Sequence, residues 1–484
     1  MELKELLLGA AKNGKVVGVL GLGVSGVETL EFLARVEIPA VAFEKQSEGE
    51  FHSKSKFSAR VKALTKARVC YGFDSAEMAS NEANKLQCLV LSPGVPTDSP
   101  VVSAIRSAGV PIVGELELGL GLIGGKSIVV TGSNGKSTTV SLIAKMFKDA
   151  GAKFRLLGNI GTPAVSFITS LSAPVDSDTW NVVEASSYQL SVCSRLVPDV
   201  AVFLNLSENH LERHGDMQGY FKAKTHRFVV PGVKSLVTNA DDLWGAKLNT
   251  ANTIFTKDSN IAAGFKGLAV LVDYRPADGV DQLALFESGR ETKRLSIKPR
   301  LLGGHNRLNI AAAIAAGIRA GLSLDGVIKS VESFTSLEHR IEMVRELDGV
   351  VYINDSKATT VAASGVAIST VLEAYPNRAV YILLGGLSKF GSWAPLLRDT
   401  LSGHNGVKLV FFGKDGEMIR GVAREFGRDG PCFGTMSEAV QSAREAAAKD
   451  RGVVLFSPGC ASFDAFRDFE DRGEKFKAVV NGWR

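Results

Sequence analysis

Thr131-Gly132-Ser133-Asn134-Gly135-Lys136-Ser137-Thr138 is a run of small residues closed by a lysine and two hydroxyls. Small residues let backbone N–H groups wrap phosphate oxygens, a lysine neutralises charge, and a hydroxyl can reach magnesium. The run is a shortened form of the G-x-x-x-x-G-K-[ST] loop, with only two residues between Gly132 and Gly135. A glycine turn beside a surface lysine would have the same composition. Context decides against that, because the apolar stretch Ser127-Ile128-Val129-Val130 precedes the loop and helical periodicity over Val140 to Ala150 follows it. Gly132, Ser133, Asn134, Gly135, Lys136, Ser137 and Thr138 are therefore read as a nucleotide-phosphate site, with ATP as the expected nucleotide.

Other clusters carry less specific chemistry. Gly21-x-Gly23-x-x-Gly26 follows an apolar run and is trailed by Glu44, the arrangement of a dinucleotide site with an acid on the ribose. NAD, another nucleotide diphosphate, and a tight turn packing a helix on a sheet all remain open for it. His210 and His214 are spaced i, i+4, which can place both on one helical face for a metal, although a solvated polar loop has the same pattern. Lys224, in Tyr220-Phe221-Lys222-Ala223-Lys224, reads from composition as a surface lysine on a basic helix. Gly304-His305-Asn306-Arg307-Leu308-Asn309 reads as a capped helix start. Asn354-Asp355-Ser356-Lys357-Ala358-Thr359, Gly385-Gly386-Leu387-Ser388-Lys389 and Ser457-Pro458-Gly459-Cys460-Ala461-Ser462 each follow an apolar run, where ligand-binding loops gather in α/β sheets.

The elements needed to position these clusters are alternating strands and helices with largely parallel sheets. Strands are expected at Val16–Leu20, Ala40–Phe43, Trp180–Glu184, Val200–Asn205, Lys234–Asn239, Val350–Asp355, Val380–Leu384, Lys408–Phe412 and Val453–Phe456. The pattern restarts near 115 and 336. The reading is an α/β chain of three domains: a Rossmann-like N-terminal domain over 1–115, a P-loop-type central ATPase domain over 116–336, and a doubly wound Rossmann-like domain over 337–484. A length of 484 residues agrees with more than one core.

The five cysteines are scattered without a CxxC pair, which suits reduced thiols and a cytoplasmic setting. The N-terminal stretch lacks the apolar core of a signal peptide, and no run approaches the ~20 apolar residues of a membrane span. A net charge of +5 without a basic tail points to small anionic ligands rather than nucleic acid.

Taken together, the motifs resemble the Mur ligases, ATP-dependent amide-forming enzymes of peptidoglycan precursor synthesis. The resemblance is collinear over nearly the whole chain. It runs through the Ser133 to Thr138 loop, Gly158-Asn159-Ile160-Gly161, Glu184-Ala185-Ser186-Ser187-Tyr188-Gln189-Leu190, Asn205 to His210, Gly304-His305-Asn306 with Asn309, and His339-Arg340-Ile341-Glu342. These are shared with folylpolyglutamate synthases. The Asn354 to Thr359 run, the glycine pair leading to Lys389, and Ser457 to Ser462 with Phe469 resemble the D-glutamate-adding branch. Other Mur ligases are the nearest alternative. A dehydrogenase would leave the phosphate loop without a purpose, and a nucleotide-binding regulator would need no amino-acid site.

The resemblance implies that ATP activates the carboxylate of UDP-N-acetylmuramoyl-L-alanine as an acyl phosphate, which D-glutamate then attacks. It places ATP on the phosphate loop with Asn306, Asn309, Arg340 and Asp355. It implies two Mg2+ sites, with Ser137 and Glu184 at the first and His210 at the second, supported by Lys224 as a carbamate. Lys136, His210 and Lys224 would form the catalytic set. Leu22, Val24, Ser25, Glu44, Lys45 and Ser92 match uridine and diphosphate positions, while Asn159 and Ser186 match substrate-positioning ones. Lys357, Thr359, Lys389, Ser462 and Phe469 match the D-glutamate site. A monomer is expected. The chain departs from the family pattern at Asn209, where an aspartate often precedes the histidine, and at Thr360, where asparagine is common.

Overall fold

A computed structural model of the chain describes residues 2–64, 67–171, 176–273, 280–388, 392–404 and 406–483. These residues form three sheets built largely of parallel strands, with antiparallel pairings of Leu268–Asp273 with Asp281–Glu287 and of Glu342–Leu347 with Val350–Asn354. The chain separates into two compact units. One contains Met1–Asp273, Gln282–Leu295 and Leu308–Val331; the other contains Tyr274–Asp281, Ser296–Arg307 and Glu332–Arg484.

The first unit holds a five-stranded parallel sheet in the order Arg68–Tyr71, Ala40–Glu44, Val16–Leu20, Leu86–Leu91, Ile112–Gly114. The glycine turn leads from its central strand into the helix Val24–Arg35. That helix presses on the turn at Gly26, where a Cβ would lie 1.9 Å from Gly21 O. Any side chain there would force helix and strand apart. Ser92 Oγ, from the end of the neighbouring strand, donates to Gly21 O at 2.7 Å and holds the turn from the other side.

The same unit holds a nine-stranded sheet. Its order is Arg290–Ile297, Asp281–Glu287, Leu268–Asp273, Thr253–Thr256, Ser235–Asn239, Val200–Phe203, Lys126–Thr131, Trp180–Glu184, Phe154–Gly158. Ile128, Val129 and Val130 are fully buried, as expected of a central parallel strand covered on both faces. Val129 pairs in register with Val183 on one side and Ala201 on the other. The phosphate loop, Glu184 and the Asn205 segment therefore leave the carboxyl ends of three adjacent strands, the edge where an α/β sheet gathers ligands. The helix after the loop spans Lys136–Asp149 rather than starting at Val140. Its first turn is Lys-Ser-Thr-Thr, which carries no apolar period. Asp281–Glu287, one strand in from the edge, pairs antiparallel with Leu268–Asp273, a pairing the sequence pattern does not predict.

The second unit carries a six-stranded sheet in the order Glu342–Leu347, Val350–Asn354, Val453–Gly459, Val380–Gly385, Val407–Phe412, Cys432–Phe433. Ile353, Ile382, Leu455 and Phe411 pack on one face, and Tyr352, Leu383, Phe412 and Phe456 on the other. Each such burial is worth roughly 1.5–3 kcal/mol relative to exposure. Glu342–Leu347 is antiparallel to Val350–Asn354. The three polar clusters expected from sequence leave the adjacent strands Val350–Asn354, Val453–Gly459 and Val380–Gly385 at the same end.

Candidate active site

The phosphate loop is braced by the Asn205 segment. Asn134 N–H donates to Asn205 Oδ1 at 2.9 Å, and Asn205 Nδ2 returns a bond to Asn134 O at 3.1 Å. Ser133 N–H donates to Asn205 O at 2.9 Å, and Ser133 Oγ donates to Ser207 O at 3.1 Å. Gly135 caps the following helix with φ +85°, a left-handed conformation, and a Cβ there would lie 2.1 Å from Asn309 Oδ1. The position thus needs glycine for its backbone and for its close neighbour. Lys136 Nζ donates to Gly132 O at 2.8 Å and Ser133 O at 2.9 Å. Ser137 and Thr138, both buried, sit in the first helical turn.

Lys224 is not the surface residue that composition suggests. Its side chain is 2% exposed, whereas Lys222 on the same helix, Met217–Thr225, is exposed. Lys224 Nζ donates to Gly132 O at 2.9 Å, the carbonyl that Lys136 also contacts, and stands 4.7 Å from the centre of the Tyr220 ring. Burial and then the neighbouring Lys136 charge push its amine down from 10.5 to about 7, with Glu184 opposing. Both effects disfavour an ammonium here.

Glu184 ends its strand in a buried position. Oε1 accepts from Asn159 Nδ2 at 2.8 Å, while Oε2 is buried with no hydrogen-bond partner among the described residues. An orphaned carboxylate oxygen is costly unless a cation or donor meets it. With Ser137 in the first turn of the helix that follows the loop, the donor set is all oxygen and suits a hard divalent cation such as Mg2+. Ser186 caps the helix Ser187–Ser191 in a reciprocal capping box with Gln189.

His210 adopts φ +55° just before the helix Leu211–His214, and its Nδ1 contacts Tyr188 Oη at 2.9 Å. His214 Nε2 instead contacts Ser187 Oγ at 3.0 Å. The i, i+4 pair therefore does not act as one chelating face, because the first histidine lies outside the helix and the rings have different partners. Asn209 Oδ1 accepts from His210 N–H at 3.0 Å. Its side chain is thus used on the backbone rather than on the imidazole.

In the N-terminal sheet, Glu44 accepts from Leu22 N–H at 2.9 Å and from Gln46 N–H at 3.1 Å. Oε2 thus braces the glycine turn at Leu22 while Oε1 holds the loop that follows Glu44 itself, so that of the open readings for this motif the tight turn has a direct structural basis. Val24 and Lys45 are exposed beside it, and Leu22 and Ser92 are buried. Ser25 bonds the buried Glu115, whose carboxyl burial pushes up to about 7.

In the second unit, Asp355 is buried. Its Oδ2 accepts from Ser457 Oγ at 2.7 Å, its Oδ1 from Ile341 N–H at 3.1 Å, and burial pushes its carboxyl up to about 7. Ser356 N–H donates to Asn354 Oδ1 at 3.1 Å, so the cluster is also an Asx turn. Arg340 lies between two left-handed residues, His339 with φ +62° and Ile341 with φ +46°. Asn306 Nδ2 donates to Leu302 O at 2.7 Å. The loops interlock, since Gly459 N–H donates to Ala358 O and Leu387 and Ala461 exchange backbone bonds. Lys357 Nζ lies 5.3 Å from the Phe469 ring centre, Thr359 is half-buried, and Ser462 is buried on the adjoining loop. Lys389 lies outside the described residues. Thr360 caps the helix Val361–Ala374 through Ala363 N–H, which accounts for a hydroxyl at that departure.

Arg472 was not among the expected residues. It is fully buried and donates to Ser356 Oγ at 3.0 Å, Ser356 O at 2.8 Å and Cys460 O at 3.0 Å, clamping two of the loops. The available signal was Gly473, a glycine inside a helix, which marks a close approach. A Cβ there would lie 2.2 Å from His339 Nδ1. A cavity of about 410 Å³ lies elsewhere in this unit, lined by Phe412, Thr435, Asp464, Phe466 and Lys475 among others, and contains none of the expected site residues. The convergence of loops is the stronger marker, because it collects polar side chains and backbone at one sheet end.

Residues 130–317 match the Mur ligase middle domain. The chain is 34% identical over 474 residues to a UDP-N-acetylmuramoylalanine–D-glutamate ligase of Geobacter metallireducens, covering 97% of this chain and 98% of that protein. A protein of the same name from Symbiobacterium thermophilum is 35% identical, with 96% and 97% covered. Among solved structures, UDP-N-acetylmuramate-alanine ligase of Thermotoga maritima shares the fold with a TM-score of 0.58 at 18% identity, over 96% of this chain and 99% of that one. The chain belongs to the Mur ligases, in the family of UDP-N-acetylmuramoylalanine–D-glutamate ligases.

Proposed function

We propose that the chain is an ATP-dependent ligase that joins D-glutamate to UDP-N-acetylmuramoyl-L-alanine, a step of peptidoglycan precursor synthesis. A carboxylate oxygen of the L-alanyl group bonds to the γ-phosphorus of ATP as the bond to ADP breaks. The D-glutamate nitrogen then bonds to the acyl carbon, inorganic phosphate departs, and the amine gives up its proton. The observation that carries the chemistry is the convergence of Lys136 and Lys224 on Gly132 O, beside a buried Glu184 oxygen without a hydrogen-bond partner among the described residues. Similarity to the D-glutamate ligases along nearly the full chain carries the choice of substrates.

The carboxylate and the phosphate it must approach are both anions, so fixed positive charge is the first requirement. Lys136 supplies it, and the helix N-terminus after Gly135 adds backbone N–H groups. Bound Mg2+ would further screen the phosphates, with Ser137 and Glu184 holding one ion and His210 a second. Lys224 serves this centre as a carbamate. An ammonium beside Lys136 would repel a metal, whereas the neutral amine favoured at its depressed pKa can bond to the carbon of CO2, release a proton from nitrogen to solvent and become an anion. Asn306, Asn309, Arg340 and Asp355 hold the nucleotide. Asn159, Ser186 and the N-terminal set Leu22, Val24, Ser25, Glu44, Lys45 and Ser92 hold the UDP-substrate. Lys357, Thr359, Lys389, Ser462 and Phe469 receive D-glutamate.

No helix among the described residues is long and apolar enough to cross a membrane, and the five cysteines are free thiols. A cytoplasmic setting and a monomeric state belong to the same proposal. Nucleotide binding tests the phosphate site directly. Calorimetric titration with Mg-ATP is expected to show one site in the wild type and none in Lys136→Ala; equal binding by the two proteins would overturn the assignment.

A further inference from the structure

Tyr188, His214 and Tyr220 form a column of rings. The His214 centroid lies 5.2 Å from that of Tyr220 at an interplanar angle of 20°, and 5.7 Å from that of Tyr188 at 29°. Both tyrosine rings also meet the His210 ring, with centroids 5.0 Å from Tyr188 and 6.2 Å from Tyr220, and they differ in their polar contacts. Tyr188 Oη contacts His210 Nδ1 at 2.9 Å, and Lys224 Nζ stands 4.7 Å from the Tyr220 ring centre. Tyr220 Oη also lies 3.4 Å from Ser133 Oγ of the phosphate loop. The middle ring is fixed at its edge by Ser187 Oγ, 3.0 Å from Nε2, and Ser187 is itself buried.

We propose that His214 is a positioning residue: stacked between Tyr188 and Tyr220, it keeps His210 and Lys224 in register at the edge of the phosphate loop. The proposal rests on the assignment of His210 and Lys224 to the metal-binding centre. The two histidines then divide the work. His210 belongs to the proposed centre, while His214 is stacked on the two tyrosines with its Nε2 against a serine, and acts through them. Stacked aromatic rings prefer defined offsets, so removing the His214 ring takes away the stacking partner of both tyrosines and leaves only their contacts with His210 between them. Groups that orient a metal ligand typically matter about 10–100-fold in metal affinity.

The test compares wild type, His214→Ala, His214→Phe, His214→Gln and Lys224→Ala, using Mn2+ as the probe. Electron paramagnetic resonance measures Mn2+ affinity in the resting enzyme without substrates, and steady-state assays give the KM for D-glutamate. His214→Ala is expected to weaken Mn2+ by about 10-fold or more and to leave that KM unchanged. His214→Phe, which can stack, should recover most of the loss. His214→Gln can bond Ser187 but cannot stack, and should not. Wild-type Mn2+ affinity in His214→Ala alongside a loss in Lys224→Ala would overturn the proposal while leaving the centre intact. Rescue by Gln and not by Phe would also overturn it. If the alanine variant fails to fold, the Phe and Gln variants decide. Unchanged Mn2+ affinity and activity in Lys224→Ala would overturn the centre itself, and the proposal with it.

Discussion

Replacing Lys224 by alanine removes a buried amine held below the ordinary lysine range, the condition that the proposed carbamate requires. With its pKa at about 7, roughly 90% of the amine is neutral at pH 8; an unperturbed lysine at 10.5 would be about 0.3% neutral, a ~300-fold difference in the reactive form. Between pH 6 and 8 the neutral fraction of the resting protein climbs from about 10% to about 90%. The sign follows from burial and from Lys136, both of which disfavour the ammonium. Protein equilibrated with 13C-bicarbonate should therefore show a carbamate carbon resonance by NMR that grows over this range and is absent from Lys224→Ala. Ligase turnover in that variant should fall at least ~100-fold, about 2.7 kcal/mol in the barrier. Lys222→Ala should behave as wild type, since that lysine is exposed on the same helix. The reasoning fails if the resonance is missing from the wild type, or if the two alanine variants are equally active.

Gly135→Ala forces a left-handed backbone on a side chain and drives its Cβ toward Asn309 Oδ1. Strain of about 1–3 kcal/mol should weaken ATP by roughly 5- to 150-fold in calorimetry, and unchanged affinity would refute the close approach. Asp355 has a folded pKa above its ordinary 3.8, so the native state holds the extra proton. Stability should then fall as pH rises from about 4 to about 7, at up to about 1.4 kcal/mol per pH unit. Asp355→Asn should flatten that dependence in denaturant titrations, and an unchanged slope would show that burial is not the cause. Glu184→Gln keeps the bond with Asn159 but removes the charge. Mn2+ affinity should drop about 10-fold or more if the orphaned oxygen is a ligand, and retention of full affinity would remove Glu184 from the metal site.

The phosphate loop is legible in sequence because strand, loop and helix are consecutive, and each has its own local signal. Even there the helix start is displaced, since Lys136 to Thr139 form a turn without apolar residues. Lys224 shows the limit of local reading. Nothing in its neighbourhood distinguishes it from Lys222, and only packing against Tyr220 and the phosphate loop buries one and leaves the other in solvent. The resemblance identified Lys224 where composition did not. Glu44 carries a recognisable spacing, and its carboxylate bonds Leu22 N–H of the glycine turn and Gln46 N–H of its own loop, contacts that spacing alone does not reveal. Arg472 carried almost no signal, because its three partners come from loops more than a hundred residues upstream or a dozen residues before it. The polar clusters after strands were readable individually. Their meeting depended on strand order, which places Val453–Gly459 between Val350–Asn354 and Val380–Gly385.

The central claim is ligation of D-glutamate driven by ATP. Phosphate release measured with purified protein, Mg2+, ATP and UDP-N-acetylmuramoyl-L-alanine, in separate reactions with D-glutamate, L-alanine, L-lysine or meso-diaminopimelate, tests it most directly. Release that depends on D-glutamate and is absent with the other three is the predicted result. Release with another acceptor in its place, or none from folded protein, would contradict it.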